Sequence, residues 1–204
     1  MNREEKKRLT RLNILVISEK MFSKQGIKKT DIRDIAKQSG VSTVTFYKYF
    51  PSKDELLTQI TILKLTEASA SIKEELEVST DNIFSIMKRI ENLIDEKAGD
   101  LNNPEFDEFL DIAFFSNPKV IVAQEEMTKG IVTAIYSQLK KTDQLKNNIT
   151  LEAMLFYVDM IIQYSRLPKN RNLFGPNHQR PHSNLEQEVL NIILYGFIKQ
   201  PEKK

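Results

Sequence analysis

Residues 30–53 read TDIRDIAKQSGVSTVTFYKYFPSK, and this stretch decides the fold of the N-terminal part of the chain. Asp31 can accept hydrogen bonds from the unpaired amides at a helix start. Ile32, Ile35 and Ala36 then follow at the i, i+3, i+4 spacing of one buried helical face. The pattern predicts a short helix that begins just after Asp31.

A second short helix is predicted over residues 43–49, immediately after a turn. Gly40 tolerates the positive φ that the turn requires, and Ser42 stands at the N-cap of the new helix. Phe46 and Phe50 lie four residues apart, so both can face the first helix. Two short helices joined in this way predict a helix-turn-helix, which places its second helix in the DNA major groove.

A third helix is predicted upstream of this unit. Apolar residues recur at helical spacing over residues 10–25, and Gly26 stands where a C-cap is expected. We expect the charged arm at residues 1–9 to be frayed, the alternative being that its basic residues reach a phosphate or the minor groove. The three helices are expected to share a core, which consists of Leu15, Phe22, Ile35, Ala36, Val41, Phe46 and Phe50.

With its flanks, the segment resembles the N-terminal domain of the TetR family of bacterial repressors. The motifs that carry the resemblance are IRDIA, SGVS, TFYKYF and SKDELL, and it covers about residues 10–57. It implies four phosphate-binding residues, which are Thr30, Thr45, Tyr47 and Lys53. It also implies three residues closest to the base edges, which are Arg33, Thr43 and Val44. The candidate DNA-binding residues are completed by Ser42 and Lys48.

Two positions depart from the family pattern. The family often has Gly where this chain has Val44, and a second Thr where it has Asp31. Asp caps a helix as well as Thr does, so the expected fold is unchanged. Val44 adds an apolar side chain at the tip of the recognition helix, where it can contact a thymine methyl group.

The composition narrows the class of protein. The chain has 204 residues and no cysteine, which excludes disulfides, zinc-thiolate sites and a thiol nucleophile together. No cofactor is expected. The first ten residues, MNREEKKRLT, are charged where a signal peptide would be apolar, and no apolar run approaches the roughly 20 residues of a membrane span. We therefore expect a soluble protein in a reducing cytoplasm.

The charge is divided unevenly along the chain. Residues 1–53 carry 13 Lys and Arg against 5 Asp and Glu, a net +8, whereas residues 54–204 carry 17 against 23, a net −6. A charge run is usually a solvated face, but this positive block coincides with a helix-turn-helix, which favours a polyanionic partner. The sequence predicts a DNA-binding domain at residues 1–51 and a regulatory and dimerisation domain at residues 52–204.

The regulatory and dimerisation domain at residues 52–204, which we call the body, is predicted to be helical throughout, because no alternating strand pattern appears. Pro51 cannot continue the second helix, and Ser52 with Glu55 forms a capping box for the next one. The resemblance implies that this fourth helix transmits a ligand signal. The predicted body helices span residues 53–76, 81–98, 105–115, 117–141, 149–167 and 185–199. The fold class is therefore all-α, with about nine helices in a three-helix head and a larger body.

The last two long helices are the candidate dimer surface. Residues 149–167 are apolar almost all round, so this helix needs covering on more than one side. The resemblance implies that the pair meets its symmetry mate as a four-helix bundle. The alternative is that both helices fill the core of a single chain. The candidate interface residues are Leu155, Ile162, Val189, Ile192, Ile193, Gly196 and Phe197.

A ligand pocket is expected in the body, around an acidic residue in an apolar segment. Asp159 would need a partner if it were buried, so a cationic or hydroxyl-bearing ligand could face it. The alternative is a hydrogen bond between helices or a place on the exposed rim. The candidate ligand-binding residues are Phe109, Met127, Phe156, Asp159, Met160 and Gln163.

No metal site is expected, although His178 and His182 have a spacing that metal ligands use on a helix. They fall in a Pro-rich loop at residues 168–182 with no cysteine nearby. No Gly-rich phosphate loop, nucleophile elbow or paired-carboxylate frame is present, so the chain is not expected to be an enzyme.

The sequence thus predicts a homodimeric transcriptional repressor that a small-molecule effector releases from a palindromic double-stranded DNA operator. Two alternatives remain open. One is a DNA-binding regulator that is controlled by a protein partner or by no ligand, and the other is an enzyme that carries a helix-turn-helix.

Overall fold

The computed structural model describes residues 2–79 and 104–167, together with positions 81, 83, 85, 86, 88, 89, 192 and 196–198. These residues form an all-helical fold, and they include no strand beyond an isolated bridge between Leu145 and Ile198. Seven helices are described: α1 (Arg3–Gln25), α2 (Ile32–Gln38), α3 (Thr43–Tyr49), α4 (Lys53–Val78), α5 (Pro104–Ser116), α6 (Pro118–Lys141) and α7 (Leu151–Ser165). Within this described part, no helix combines the length and apolarity that crossing a membrane requires.

The predicted helices at residues 81–98 and 185–199 fall mostly outside the described residues, and so does the loop at residues 168–182 with His178 and His182. The other predicted helices are confirmed, with their ends displaced by one or two residues except at the start of α1. The all-α fold class is therefore confirmed for the described residues.

Helix α1 begins at Arg3, so the expectation of a frayed arm is wrong. Asn2 is the N-cap, and its Oδ1 accepts a hydrogen bond from the Glu5 amide at 2.8 Å. Glu4 and Glu5 also place negative charge in the first turn, where the helix dipole favours it. Capping and charge together extend α1 by about two turns beyond its predicted start.

The helix-turn-helix is confirmed down to its capping residues. The Asp31 side chain accepts a hydrogen bond from the Arg33 amide at 2.7 Å, and the Ser42 hydroxyl accepts one from the Thr45 amide at 3.1 Å. Gly40 has a φ of 69°, the left-handed conformation for which the turn needs glycine. The local chemistry of the sequence is therefore sufficient to place both short helices.

The chain divides into two compact units. The first contains Met1–Thr66 with Ile94–Ala123, and the second contains Glu67–Leu93 with Gln124–Lys204. Helices α4 and α6 each continue from one unit into the other. The first half of α4 and helix α5 belong to the same unit as α1–α3, and the domain boundary at residue 51 stays a prediction.

The first unit has a core built around α1–α4, and every residue of the predicted three-helix core contributes to it. Phe22, Phe46 and Phe50 are among its largest fully buried side chains. Leu56 and Ile60 of α4 belong to the same cluster and are also fully buried. The start of α4 is thus packed as firmly into the head as the helix-turn-helix is.

The second unit has a separate apolar core. Helix α4 contributes Ile72 and Leu76, α6 contributes Val132 and Leu139, and α7 contributes Met154. The prediction that α7 is buried on more than one side does not hold within the single chain, because its outer face is open to solvent.

Candidate nucleic-acid interface

Helix α3 presents three side chains to solvent on one face. Val44, Tyr47 and Lys48 stand at i, i+3, i+4 spacing and are all exposed, Val44 to 69% and Tyr47 to 47%. Phe46 is fully buried in the head core. An apolar group, a phenol and an ammonium group on one exposed helical face can contact base methyl groups, base edges and phosphates.

Further polar groups stand at the start of α3 and on α2. The Ser42 hydroxyl is exposed and lies 2.9 Å from the hydroxyl of Thr45, which is half-buried. Thr43 is half-buried, and Arg33 of α2 is exposed. Seven of the nine predicted DNA-binding residues therefore keep some or all of their side chain accessible around α3.

Thr30 and Lys53, the other two, make bonds within the head. Thr30 is buried, and its hydroxyl donates to the Gly26 carbonyl at 2.7 Å and accepts from the Gln25 side-chain amide at 3.2 Å. The Lys53 ammonium donates to the carbonyls of Ile27 and Thr30, the second at 2.8 Å. Both side chains thus hold the connection between α1 and α2.

Aromatic packing orients the recognition helix. The Phe46 and Phe50 ring centroids are 5.9 Å apart, and the Arg11 guanidinium lies 5.1 Å from the centroid of the Phe50 ring. Arg11 also donates to Gln59 Oε1 at 2.7 Å. Sequence reasoning missed Arg11 and Gln59, because partners 48 residues apart leave no local pattern.

An ion pair joins the first turn of α4 to the start of α6. The Lys119 ammonium donates to both carboxylate oxygens of Glu55, at 2.8 and 2.7 Å. This contact holds the pKa of Glu55 below its ordinary value of 4.5. Close by in the chain, the Asn117 side-chain amide donates to the Thr58 hydroxyl at 2.9 Å. The two contacts fasten the junction between α5 and α6 to the start of α4.

The outer face of α7 is apolar and exposed in the single chain. Phe156 is 73% exposed, and Met160 and Tyr164 follow it at i+4 and i+8 with exposures of 49% and 53%. Such a row of large apolar groups on one helical face is a surface that soluble proteins normally cover.

The residues predicted for a dimer interface fall in different places. Leu155 packs against the core of the second unit, Ile162 is half-buried, and Phe197 is buried. Ile192 is exposed, and no heavy atom lies within 4 Å of the position that a Cβ on Gly196 would occupy. Two of them lie outside the described residues, namely Val189 and Ile193.

The residues predicted for a ligand pocket belong to different units. Phe109 packs against the core of the first unit, whereas Met127 packs against the core of the second. The other four are exposed on α7: Phe156, Asp159, Met160 and Gln163. Asp159 accepts a hydrogen bond from Gln163 at 3.3 Å, and since it is exposed, the desolvation argument for a ligand partner does not apply.

A half-open cavity of about 370 Å³ lies between α4 and α6 in the second unit. Two lysines, one glutamate and an apolar strip line it, and its lining residues are Lys73, Leu76, Glu77, Gly130, Thr133, Ala134, Ser137, Gln138 and Lys141. A Cβ on Gly130 would clash with the Lys73 ammonium, so the absence of a side chain at Gly130 makes room for that group. Sequence reasoning missed this site because its polar residues look like an ordinary solvated helix face.

Residues 14–60 match the family model of bacterial regulatory proteins of the tetR family. The chain is 26% identical over 185 residues to the HTH-type transcriptional regulator TtgR of Pseudomonas putida. The aligned region covers 84% of this chain and 88% of TtgR. The chain is 33% identical over 91 residues to the uncharacterised HTH-type regulator YvdT of Bacillus subtilis, over 40% of this chain and 47% of YvdT. The similarity to TtgR extends well beyond the helix-turn-helix.

Two solved structures share the fold of the chain. Thermus thermophilus FadR, a TetR-family repressor in complex with lauroyl-CoA, superposes with a TM-score of 0.60 at 18% identity, over 95% of this chain and 98% of FadR. A TetR-family regulator from Mesorhizobium loti gives a TM-score of 0.59 at 15% identity, over 98% and 100%. At these low sequence identities, the two structures show a shared all-helical fold and nothing more specific.

Proposed function

We propose that this chain, whose residues 14–60 match the tetR family model, is a cytoplasmic homodimeric repressor that a small molecule releases from a palindromic operator. The exposed face of α3 is the observation that carries the DNA-binding part of this proposal. Two such faces, one per protomer, enter successive major grooves about 34–36 Å apart.

The nine candidate residues take two kinds of role in this proposal. Val44 contacts a thymine methyl group, while Tyr47 and Lys48 contact phosphates beside it. Thr30 and Lys53 support DNA binding indirectly. Their polar groups form hydrogen bonds inside the head and keep α2 and α3 in place. The remaining contacts come from Arg33, Ser42, Thr43 and Thr45.

Selection of bound sequences from random DNA, followed by titration of the selected site at several salt concentrations, tests this function. A dimer that makes 6–10 phosphate contacts loses about 10³–10⁵ in affinity between 50 and 200 mM salt. Lys48→Ala should reduce the slope of log K against log salt by about 1 per protomer. Lys140→Ala, at an exposed lysine of α6, is the matched control and should leave the slope unchanged. A flat salt dependence of the wild-type protein would contradict the proposal.

The outer face of α7 is the proposed dimer surface. Phe156, Met160 and Tyr164 form an exposed apolar row, which a two-fold symmetric copy of the same helix can cover. Ile192 is exposed as well, and the space beside Gly196 is open for close approach of a neighbouring chain. The interface then includes Phe156 and Met160, whereas Leu155 serves the core of its own chain.

The cavity between α4 and α6 is the proposed effector site. Its volume of about 370 Å³ lies in the range of small-molecule pockets. The two ammonium groups of Lys73 and Lys141 outnumber the single carboxylate of Glu77 and favour an anionic head group. Leu76 and Ala134 offer apolar contact. FadR, which has the same fold, was solved with lauroyl-CoA, an anionic ligand with an apolar tail. Calorimetric titration with medium-chain fatty acids and with the corresponding alcohols tests this, and equal binding of both classes would refute the role of the lysines.

A further inference from the structure

The connection between α1 and α2, residues 26–31, is held by side chains from two other helices, and we call it the α1–α2 corner. From α4, the Lys53 ammonium donates to the carbonyls of Ile27 and Thr30. From α5, the Glu105 carboxylate accepts a hydrogen bond from the Lys28 amide at 2.6 Å. The corner is thus bound by a cation and by an anion. The Lys53 ammonium contacts two of its carbonyls, and the Glu105 carboxylate contacts one of its amides.

Glu105 approaches the corner closely because of Gly26. A Cβ at Gly26 would lie 3.2 Å from Glu105 Oε2, and the φ of 85° at this position also favours glycine. Phe109, one turn further along α5, packs against the core of the first unit. Helix α5 is therefore attached to the head by a charge-assisted hydrogen bond and by apolar packing together.

The corner leads directly into the helix-turn-helix. Only three residues separate Lys28 from the first residue of α2, Ile32. Because α2 packs on α3 through a buried face that includes Ile35, a displacement of the corner would displace the recognition helix as well.

Helix α5 is also connected to the proposed effector cavity by the chain itself. Helix α6 lines that cavity with residues 130–141, and Asn117 alone separates α6 from α5. Lys119 and Asn117 bind the start of α4 at this junction. A ligand that displaces α6 therefore pulls on both α5 and the start of α4.

From these contacts we propose that Glu105 is a positioning residue: through the Lys28 amide it transmits the placement of α5 to the α1–α2 corner, and so to the recognition helix. The proposal rests on the function proposed above, since it assigns the route by which the regulatory domain controls DNA binding. It predicts that the Glu105 contact is required for full operator affinity, although Glu105 itself does not touch DNA.

The test compares Glu105→Ala and Glu105→Gln with Glu108→Ala, which removes the same charge one turn along α5. Glu108 is a suitable control because it is exposed and lies 4.0 Å from an equally exposed Lys28 ammonium. In the full-length protein, Glu105→Ala should increase hydrogen exchange at the Lys28 amide about tenfold and weaken binding to the selected operator about tenfold. Glu105→Gln, which keeps an acceptor oxygen without the charge, should weaken binding less.

Three further outcomes decide the proposal. Glu108→Ala should leave both the hydrogen-exchange rate of the Lys28 amide and the operator affinity within about twofold of wild type. An affinity of Glu105→Ala equal to or above that of Glu108→Ala overturns the proposal, provided that the wild-type protein binds DNA. If the wild-type protein enriches no sequence from random DNA, the proposed function itself has failed, and the positioning role fails with it.

Discussion

Phe156 is the residue at which the proposed dimer can be tested most directly. This residue is 73% exposed on α7, where it begins the apolar row that continues with Met160 and Tyr164. Phe156→Ala removes a ring that is mostly exposed to solvent and packs little against its own chain. The substitution should therefore leave the folding of the protomer nearly unchanged and weaken its association.

The expected magnitude follows from the exposed fraction. Fully burying a phenylalanine side chain is worth about 1.5–3 kcal/mol, so covering the 73% that is exposed is worth about 1–2 kcal/mol per protomer. A two-fold symmetric interface contains the ring twice, which gives about 2–4 kcal/mol for the dimer. Since each 1.4 kcal/mol is a factor of ten, the dimer dissociation constant should rise by about 40- to 1,000-fold.

Sedimentation velocity over a range of protein concentrations measures this change. Val78→Ala is the matched control, because Val78 is 72% exposed and belongs to α4 rather than to α7. The wild-type protein and the control should sediment as dimers at micromolar concentration, and Phe156→Ala should sediment as a monomer under the same conditions.

Two results would refute the reasoning. A monomeric wild-type protein at micromolar concentration would remove the dimer altogether. An unchanged dissociation constant in Phe156→Ala, with a dimeric wild type, would show that the dimer forms through another surface. A loss of thermal stability in a protein that is already monomeric would instead indicate that Phe156 supports the fold.

Two further predictions concern the stability of the head. Gly40→Ala forces a side chain into a conformation with φ of 69° where space is open, so we expect a loss of about 1–2 kcal/mol from the backbone alone, measured by urea unfolding. Because Lys119 lowers the pKa of Glu55, this pair stabilises the fold above the ordinary pKa of 4.5, and the contribution disappears as the pH falls through the lower folded-state value. Glu55→Gln should cost about 0.2–1 kcal/mol at neutral pH and lose less stability than wild type on acidification; parallel pH profiles for the two proteins would contradict this.

The head could be predicted from sequence because its signals are local. Asp31 and Ser42 cap helices that begin within two residues of them, and Gly40 sits in the turn between. These residues act on neighbours in the chain, so a linear pattern contains the whole interaction. The exposed face of α3 follows in turn, because burying Phe46 directs Val44 and Tyr47 outward.

The body could be predicted only as far as its helices. Apolar spacing located α7, but a helix that is apolar nearly all round has no pattern to show which face meets its own core. Phe156 and Leu155 are neighbours of similar hydrophobicity, yet Leu155 packs inward and Phe156 is exposed. For this reason the residues assigned to a ligand and to a dimer surface could not be separated before the fold was known.

The sequence by itself determined that the N-terminal region is a helix-turn-helix, since caps, a turn glycine and helical spacing are properties of adjacent residues. Only the tertiary structure decided what Thr30, Lys53 and Glu105 do. Their partners are backbone groups of the α1–α2 corner, and the carboxylate of Glu105 reaches an amide 77 positions away in the chain. A hydrogen bond to backbone requires no particular residue type at its other end, so no pattern of side chains records it.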